Sequence, residues 1–322
     1  MNHERIPVIT VVGSSNVDLV VKTSHYPSSG ETVIGDKFFI CPGGKGANQA
    51  VVVSRLGAKV NFISCIGDDF FGDIILNNLK KEKIETKTII RKSKVSSGIA
   101  LIIVDKKGEN SIVVSPGANY RLNKKDIEKN KKYILSADVI VLQLEIPMST
   151  VQYTIKIAKE KNIPVILNPA PARKIPDGLL KKIDILTPNQ NELKRLTGKN
   201  LESIESVKKA SYKLIDKGIK AIIVTLGEKG ALLVTKDLFE LVPSIKVKVI
   251  DTTGAGDAFT GGLSFALAKG IDLKKAVYFA NIVAALSVRK IGAQSSPTIS
   301  KVKKFLKNLK LTQEEKTNKI FS

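Results

Sequence analysis

The sequence predicts an α/β fold: a mainly parallel sheet covered by helices on both faces, with a small antiparallel sheet projecting from it. Three observations predict this. Short β-branched runs alternate with helix-like runs through most of the chain, the pattern of strands buried on both sides. Two stretches break the alternation, with strand-like pieces and no helix between them. And a chain of 322 residues, 43% of them hydrophobic, can bury a substantial core.

In chain order, residues 7–13 form a buried-strand run, 44–56 a helix-like run, 59–66 a strand and 70–83 a helix. Residues 98–105 and 110–115 pair as a hairpin across Lys106-Lys107-Gly108-Glu109. Short strands follow at 139–144, 165–168, 183–187 and 221–225, with helices at 149–161, 189–197 and 204–217 between them; Gly218 stops the last of these. A strand-like run at 245–250 leads through glycines to a helix at 258–269, and a further helix covers 274–288. The irregular stretches, about 14–42 and 96–116, are the expected small sheet. Together residues 1–310 read as one unit, and 311–322 as a polar tail that frays.

Composition narrows the function. No apolar run reaches the roughly 18 residues that span a bilayer, and the N-terminus lacks the apolar region of a signal peptide. Two cysteines, Cys41 and Cys65, make no disulfide framework, and His3 and His25 are too few for a histidine metal centre. A reduced, cytoplasmic protein is expected. The formal charge of +22 raises nucleic-acid binding, but the lysines are dispersed, tryptophan is absent and no basic run is interleaved with aromatics. A solvated surface is therefore expected, with no nucleic-acid or membrane partner. Its positive field would help attract an anionic cosubstrate.

The most informative segment is Asp251-Thr-Thr-Gly254-Ala255-Gly256-Asp257. Glycines at the entry to a helix let the backbone approach a ligand. The first helical amides lack internal partners and favour an anion. Asp257 stands beside that anion position, as a base for a hydroxyl attacking phosphate would. The alternative, an N-cap aspartate in a glycine turn, stays open at this point. Pro42-Gly43-Gly44-Lys45-Gly46-Ala47-Asn48 is neither a Walker A loop, since Gly46 follows the lysine, nor a dinucleotide loop. It could close on a polyol or be a plain turn. Asn16 and Asp18, two apart, share one side of an extended segment and could read adjacent hydroxyls or form an Asx turn.

Taken in order, Asn16-x-Asp18, Gly43-Gly-Lys-Gly-Ala-Asn48, Asn189-Gln-Asn-Glu192 and Asp251-Thr-Thr-Gly-Ala-Gly-Asp257 resemble the ribokinase family of carbohydrate kinases, from Val8 to about Leu306. The resemblance implies a Rossmann-like three-layer α/β/α sandwich with a β-sheet lid that also forms a homodimer interface. It implies ATP-dependent phosphorylation of D-ribose at the 5-hydroxyl, with Asp257 as base and the amides of Gly254, Ala255, Gly256 and Asp257 as anion hole. It assigns Asn16, Asp18, Gly43, Gly44, Lys45, Asn48 and Glu145 to the sugar. Asn189 and Glu192 fall to the phosphates and hydrated Mg²⁺, Thr225, Gly227 and Gly230 to a nucleotide loop, and Asn281 to the adenine. It further implies a K⁺ site drawn from Asp251, Thr253, Ser287, Lys290 (through its carbonyl), Gly292 and Ser296. Retention of Asn16 favours ribose over deoxyribose. Deoxyribose, fructose or a nucleoside is the alternative substrate, and a regulator without catalysis is the alternative class.

Overall fold

The computed structural model describes residues 5–308; the tail at 311–322 and His3 lie outside them. The strands are β1 (Val8–Val12), β2 (Asn16–Lys22), β3 (Lys37–Gly43), β4 (Lys59–Gly67), β5 (Ile89–Lys92), β6 (Gly98–Val104), β7 (Asn110–Ser115), β8 (Val139–Gln143), β9 (Val165–Asn168), β10 (Ile185–Leu186), β11 (Ala221–Thr225), β12 (Ala231–Thr235) and β13 (Phe239–Val242). The α-helices are α1 (Lys45–Arg55), α2 (Phe70–Lys81), α3 (Lys124–Lys129), α4 (Lys131–Leu135), α5 (Met148–Lys159), α6 (Asp177–Leu180), α7 (Gln190–Thr197), α8 (Ile204–Ile215), α9 (Ala255–Ala268), α10 (Leu273–Ser287) and α11 (Ile299–Asn308).

Nine strands form one sheet in the order β13-β12-β11-β10-β9-β8-β1-β4-β5. It is parallel from β5 to β11 and antiparallel at the β11-β12-β13 end. Successive side chains on these strands enter opposite cores, as a period of two requires. Ile9, Val11, Val139, Val141 and Ile166 join α1, α9 and α10 on one face. Val12, Ile140, Leu142, Val165 and Leu167 join α5 and α8 on the other. The result is the expected three-layer sandwich.

The irregular stretches form the expected second sheet, of order β3-β2-β6-β7. It is antiparallel except where β2 lies parallel to β6. It stands off the main body and keeps Phe38, Phe39, Ile40, Leu101, Ile112, Val113 and Val114 exposed.

Three expectations are corrected. Residues 245–250 form no strand: Pro243 ends β13 without a donor to continue the ladder, and Val249 and Ile250 remain exposed. The helix after the glycines begins at Ala255 rather than 258, because Gly254 caps it in the left-handed conformation at φ 76°. Asp257 is thus inside the first turn and is not the N-cap. The strand expected at 183–187 contracts to two residues, and β5, β12, β13 and α11 are additions to the sequence reading.

Candidate active site

The site lies at the carboxyl ends of the central strands, where loops of an open α/β sheet converge. A cleft there is lined by Lys45, Asn168, Thr187, Asn189, Glu192, Thr225, Thr252 and residues 254–257. Five segments distant in sequence meet in it.

Asp257 is 5% exposed. Its Oδ2 accepts a hydrogen bond from Asn48 Nδ2 at 2.9 Å, and its Oδ1 accepts one from Gln49 Nε2 at 2.9 Å. In the turn before it, the Ala255 amide donates to Thr252 O. The amides of Gly254, Gly256 and Asp257 have no acceptor among the described residues. Three of the four expected anion-hole donors are therefore open to a ligand, while Ala255 is engaged within its own turn. Gly254 is required on two counts. Its φ is positive, and a Cβ there would lie 2.4 Å from the Ala293 carbonyl.

β2 delivers the polyol-reading pair. Asn16 is buried, and its Oδ1 accepts from Asn119 Nδ2 at 2.7 Å. That bond leaves the Asn16 amine to donate to a ligand hydroxyl. Asp18 faces the same side, over Gly43, where a Cβ would meet its carboxylate at 2.3 Å. Gly44 caps α1. Glu145, just beyond β8, accepts from Ser14 Oγ and from the Lys45 amide, the latter at 3.1 Å. It therefore ties the end of β1 to the start of α1.

Lys45 is surrounded by acids. Burial acts to lower its pKa, but Asp257, Glu145, Glu192 and Asp18 together hold it above the usual lysine range. It is a fixed positive charge suited to an anionic ligand. Asp18 has the opposite balance. Burial, then Glu145 and Asp257, push its carboxyl up to about 7 against the pull of Lys45. Because an ionised carboxylate is the better acceptor for a sugar hydroxyl, kcat/KM for the sugar should rise with pH through about 7. In Asp18→Asn that limb should vanish; an unchanged pH profile would remove Asp18 from sugar binding.

Asn189 caps α7, and Glu192 returns the bond to the Asn189 amide at 2.9 Å, a capping box. Burial is the main influence raising the Glu192 carboxyl, opposed by the Asn189 amide and Lys45. Both side chains nevertheless line the cleft. Thr225 ends β11 beside Asn189. Gly227 is exposed in the following turn, and Gly230 is packed beneath Val242–Ser244. Asn281 is buried on α10, its amine donating to Val242 O and Pro243 O. Of the expected nucleotide residues, Gly230 and Asn281 meet at the 242–244 turn, with the Asn281 amine already spent there.

Of the expected cation-binding residues, Asp251, Thr253 and Gly292 are joined by hydrogen bonds. Asp251 accepts from the Thr253 amide and hydroxyl, and from the Gly292 amide at 2.8 Å. Burial acts to raise its pKa, but these bonds outweigh it and hold the carboxyl below the usual range. The Ser287 carbonyl accepts from Ser295 Oγ. Ser296 is buried, with its carbonyl and hydroxyl facing the Arg55 guanidinium at 3.0 and 3.4 Å. Lys290 is exposed. Arg55, paired with Glu82, therefore anchors this loop to α1.

The sequence reading missed Asn119, which fixes Asn16, and Gln49, which holds Asp257. It also missed Gln294, whose Nε2 donates to Asn48 Oδ1 at 3.2 Å. Each is an ordinary amide until the fold brings its partner close.

Residues 7–299 match the family described as pfkB family carbohydrate kinase. A ribokinase from Haemophilus influenzae is 42% identical over 93% of this chain and 98% of its own length. A deoxyribokinase from Salmonella typhi is 40% identical over 92% and 98%. The solved structure of an Arabidopsis thaliana ribokinase complexed with ribose and ATP is 33% identical, with a TM-score of 0.90, covering 95% of this chain and all of that one. The fold and site define a carbohydrate kinase. The chain belongs to the pfkB family, and the relatives it resembles include ribokinases.

Proposed function

We propose that this chain transfers the terminal phosphoryl group of ATP to the 5-hydroxyl of D-ribose, giving D-ribose 5-phosphate and ADP. The observation that carries the reading is Asp257. A buried carboxylate, oriented by two amides, sits in the same helical turn as three open backbone N–H donors. In the reaction the sugar oxygen bonds to phosphorus, the bond from phosphorus to the departing ADP oxygen breaks, and the hydroxyl proton passes to Asp257. An alcohol is too weak an acid for early deprotonation, so the proton moves late in a loose transition state. The amides of Gly254, Gly256 and Asp257 would meet the charge on the transferred group. Asn16, Asp18, Gly43, Gly44, Lys45, Asn48 and Glu145 would hold the sugar, and Thr225, Gly227, Gly230 and Asn281 the nucleotide.

Mg²⁺ bound with ATP supplies charge neutralisation at the phosphates. The residues fit it: Mg²⁺ keeps waters and takes one or two carboxylates beside phosphate oxygens, and Glu192 with Asn189 offers such a set. K⁺ is proposed as activator at the loop from Asp251 and Thr253 to Ser287, Lys290, Gly292 and Ser296. Its hard oxygens and ionised carboxylate suit an alkali cation.

Ribose is preferred over deoxyribose because Asn16 is pinned with its amine free. A sugar lacking the matching hydroxyl would leave that buried donor unpaired. Sequence identity leans only slightly to ribose, the ribokinase relative being 42% identical and the deoxyribokinase 40%. The exposed apolar strands of the small sheet support a lid that also pairs two chains; a sedimentation mass of one chain at micromolar concentration would remove that part. No helix among the described residues is long and apolar enough to cross a membrane, and Cys41 and Cys65 are free thiols, which suits the cytoplasm. The unit carrying all this is one α/β body with its lid.

The test is ADP release with Mg-ATP and a panel of ribose, 2-deoxyribose, fructose and nucleosides, in K⁺ or Na⁺. Ribose should give the highest kcat/KM, by roughly tenfold or more over deoxyribose, and K⁺ should stimulate it. A higher kcat/KM for deoxyribose would overturn the role given to Asn16. Equal rates in K⁺ and Na⁺ would remove the cation site.

A further inference from the structure

Asp257 does not rest on Asn48 alone. Gln49, on α1, is fully buried and donates to Asp257 Oδ1 at 2.9 Å, and more weakly to Asn168 Oδ1 at 3.4 Å. The same side chain accepts through Oε1 from Gln143 Nε2 at 2.5 Å. Gln143 ends β8, Asn168 ends β9, and Thr187 lies just past β10, so three adjacent strand ends carry this network.

Its polarity is fixed from both sides. Thr187 O is a backbone carbonyl and can only accept, and Asn168 Nδ2 donates to it at 3.0 Å. The Asn168 oxygen must therefore face Gln49, and only the Gln49 amine can meet it and the Asp257 oxygen together. On the far side Gln143 presents its amine to the Gln49 oxygen. A flipped Gln49 would set oxygen against carboxylate and amine against amine.

One atom carries the cost of this arrangement. Gln143 Oε1 is a buried polar side-chain atom with no hydrogen-bond partner among the described residues. Such atoms are uncommon and ask for an explanation. It points at Gly13, where a Cβ would lie 1.9 Å away. Gly13 makes the room, and Gln143 spends its amine on Gln49 with its oxygen unpaired.

We propose that Gln49 is a positioning residue for the base. It holds the Asp257 carboxylate in its working orientation, and Gln143 sets which end of the Gln49 amide faces the base. The inference rests on Asp257 being the base. The charged groups facing Asp257 are Asp18, Lys45 and Glu192. A change at Gln49 leaves all three in place, so a displaced pH profile of kcat reports the amide.

The test is steady-state kinetics of Gln49→Met and Gln49→Glu from ~pH 5 to 8, with melting temperature measured alongside. Both variants conserve volume. Expected are KM values for ribose and ATP within ~2-fold, kcat lower by ~10–100-fold, and an acid limb of kcat displaced upward, further in Gln49→Glu, because a bond to the charged form is lost. A merely structural role would lower the melting temperature without moving that limb. Folded variants with parental kcat and acid limb would overturn the proposal. If neither folds, Gln143→Met tests it one residue further out; the same displacement at smaller size supports it, and a parental profile sinks it. Asp257→Asn, run in parallel, separates the failures. An active Asp257→Asn sinks the assignment of the base, whereas an inactive one beside a parental Gln49→Met sinks only this inference.

Discussion

Asp257→Asn should lower kcat for ribose phosphorylation by about a thousandfold or more, near the upper range for loss of a positioned base. The new amide is nearly isosteric but cannot take the proton. It also places an amine against one of the two donors, Asn48 Nδ2 or Gln49 Nε2, that the carboxylate satisfied. Some stability should be lost, on the order of 1–3 kcal/mol for a buried donor left unpaired. The check is paired. Nucleotide binding by calorimetry should stay within about threefold, since the base contributes little to ground-state binding, while single-turnover phosphoryl transfer collapses. Turnover near that of the parent protein would remove Asp257 as base and leave the cleft as a binding site only.

The second large effect is expected at Gly254. An alanine there must hold φ near 76° and place its Cβ 2.4 Å from the Ala293 carbonyl. The left-handed conformation alone costs about 1–2 kcal/mol, and the backbone contact cannot be relieved by a rotamer change. The turn must shift, and with it the open amides of Gly256 and Asp257. Loss of aligned oxyanion donors is worth about a hundred- to thousandfold in kcat, so Gly254→Ala should fall by that order and melt earlier than the parent. Gly256→Ala is the contrast, because a Cβ there meets nothing within 4 Å. It should fold with parental stability. A Gly254→Ala enzyme with parental kcat would show that this turn does not stabilise the transferred group.

How much of this was legible in the sequence depended on where the information was local. The buried parallel strands were readable because Val139–Gln143 and Val165–Asn168 are continuous apolar runs, as strands covered on both faces must be. The edge strands β5 and β13 were not. Phe239–Val242 buries only its last residue and Ile89–Lys92 none fully, so neither shows a clear period. Residues 245–250 erred in the opposite direction. They are apolar enough for a strand, but a strand needs a neighbour to pair with, and local composition does not reveal that none is there.

The site shows the same division. Loops with a helix entry, Gly43–Asn48 and Asp251–Asp257, could be read because glycine, amide and carboxylate stand within a few positions. The residues that orient them could not. Gln49 meets Asp257 across 208 positions and Gln143 across 94, and Asn119 reaches Asn16 across 103. A polar amide closing an otherwise apolar strand, as Gln143 and Asn168 do, is the one signal that could have pointed to them. In an all-buried strand such a residue needs a partner.

The most direct test of the central claim is the identity of the product. The protein would be incubated with Mg-ATP and ¹³C-labelled D-ribose in K⁺ buffer and followed by ³¹P and ¹³C NMR. The account predicts one new phosphomonoester resonance, growing in step with ADP, with phosphorus coupling at C5 and C4 of the ribose. ADP formation without ribose consumption, or phosphorus coupled to C1, would contradict it.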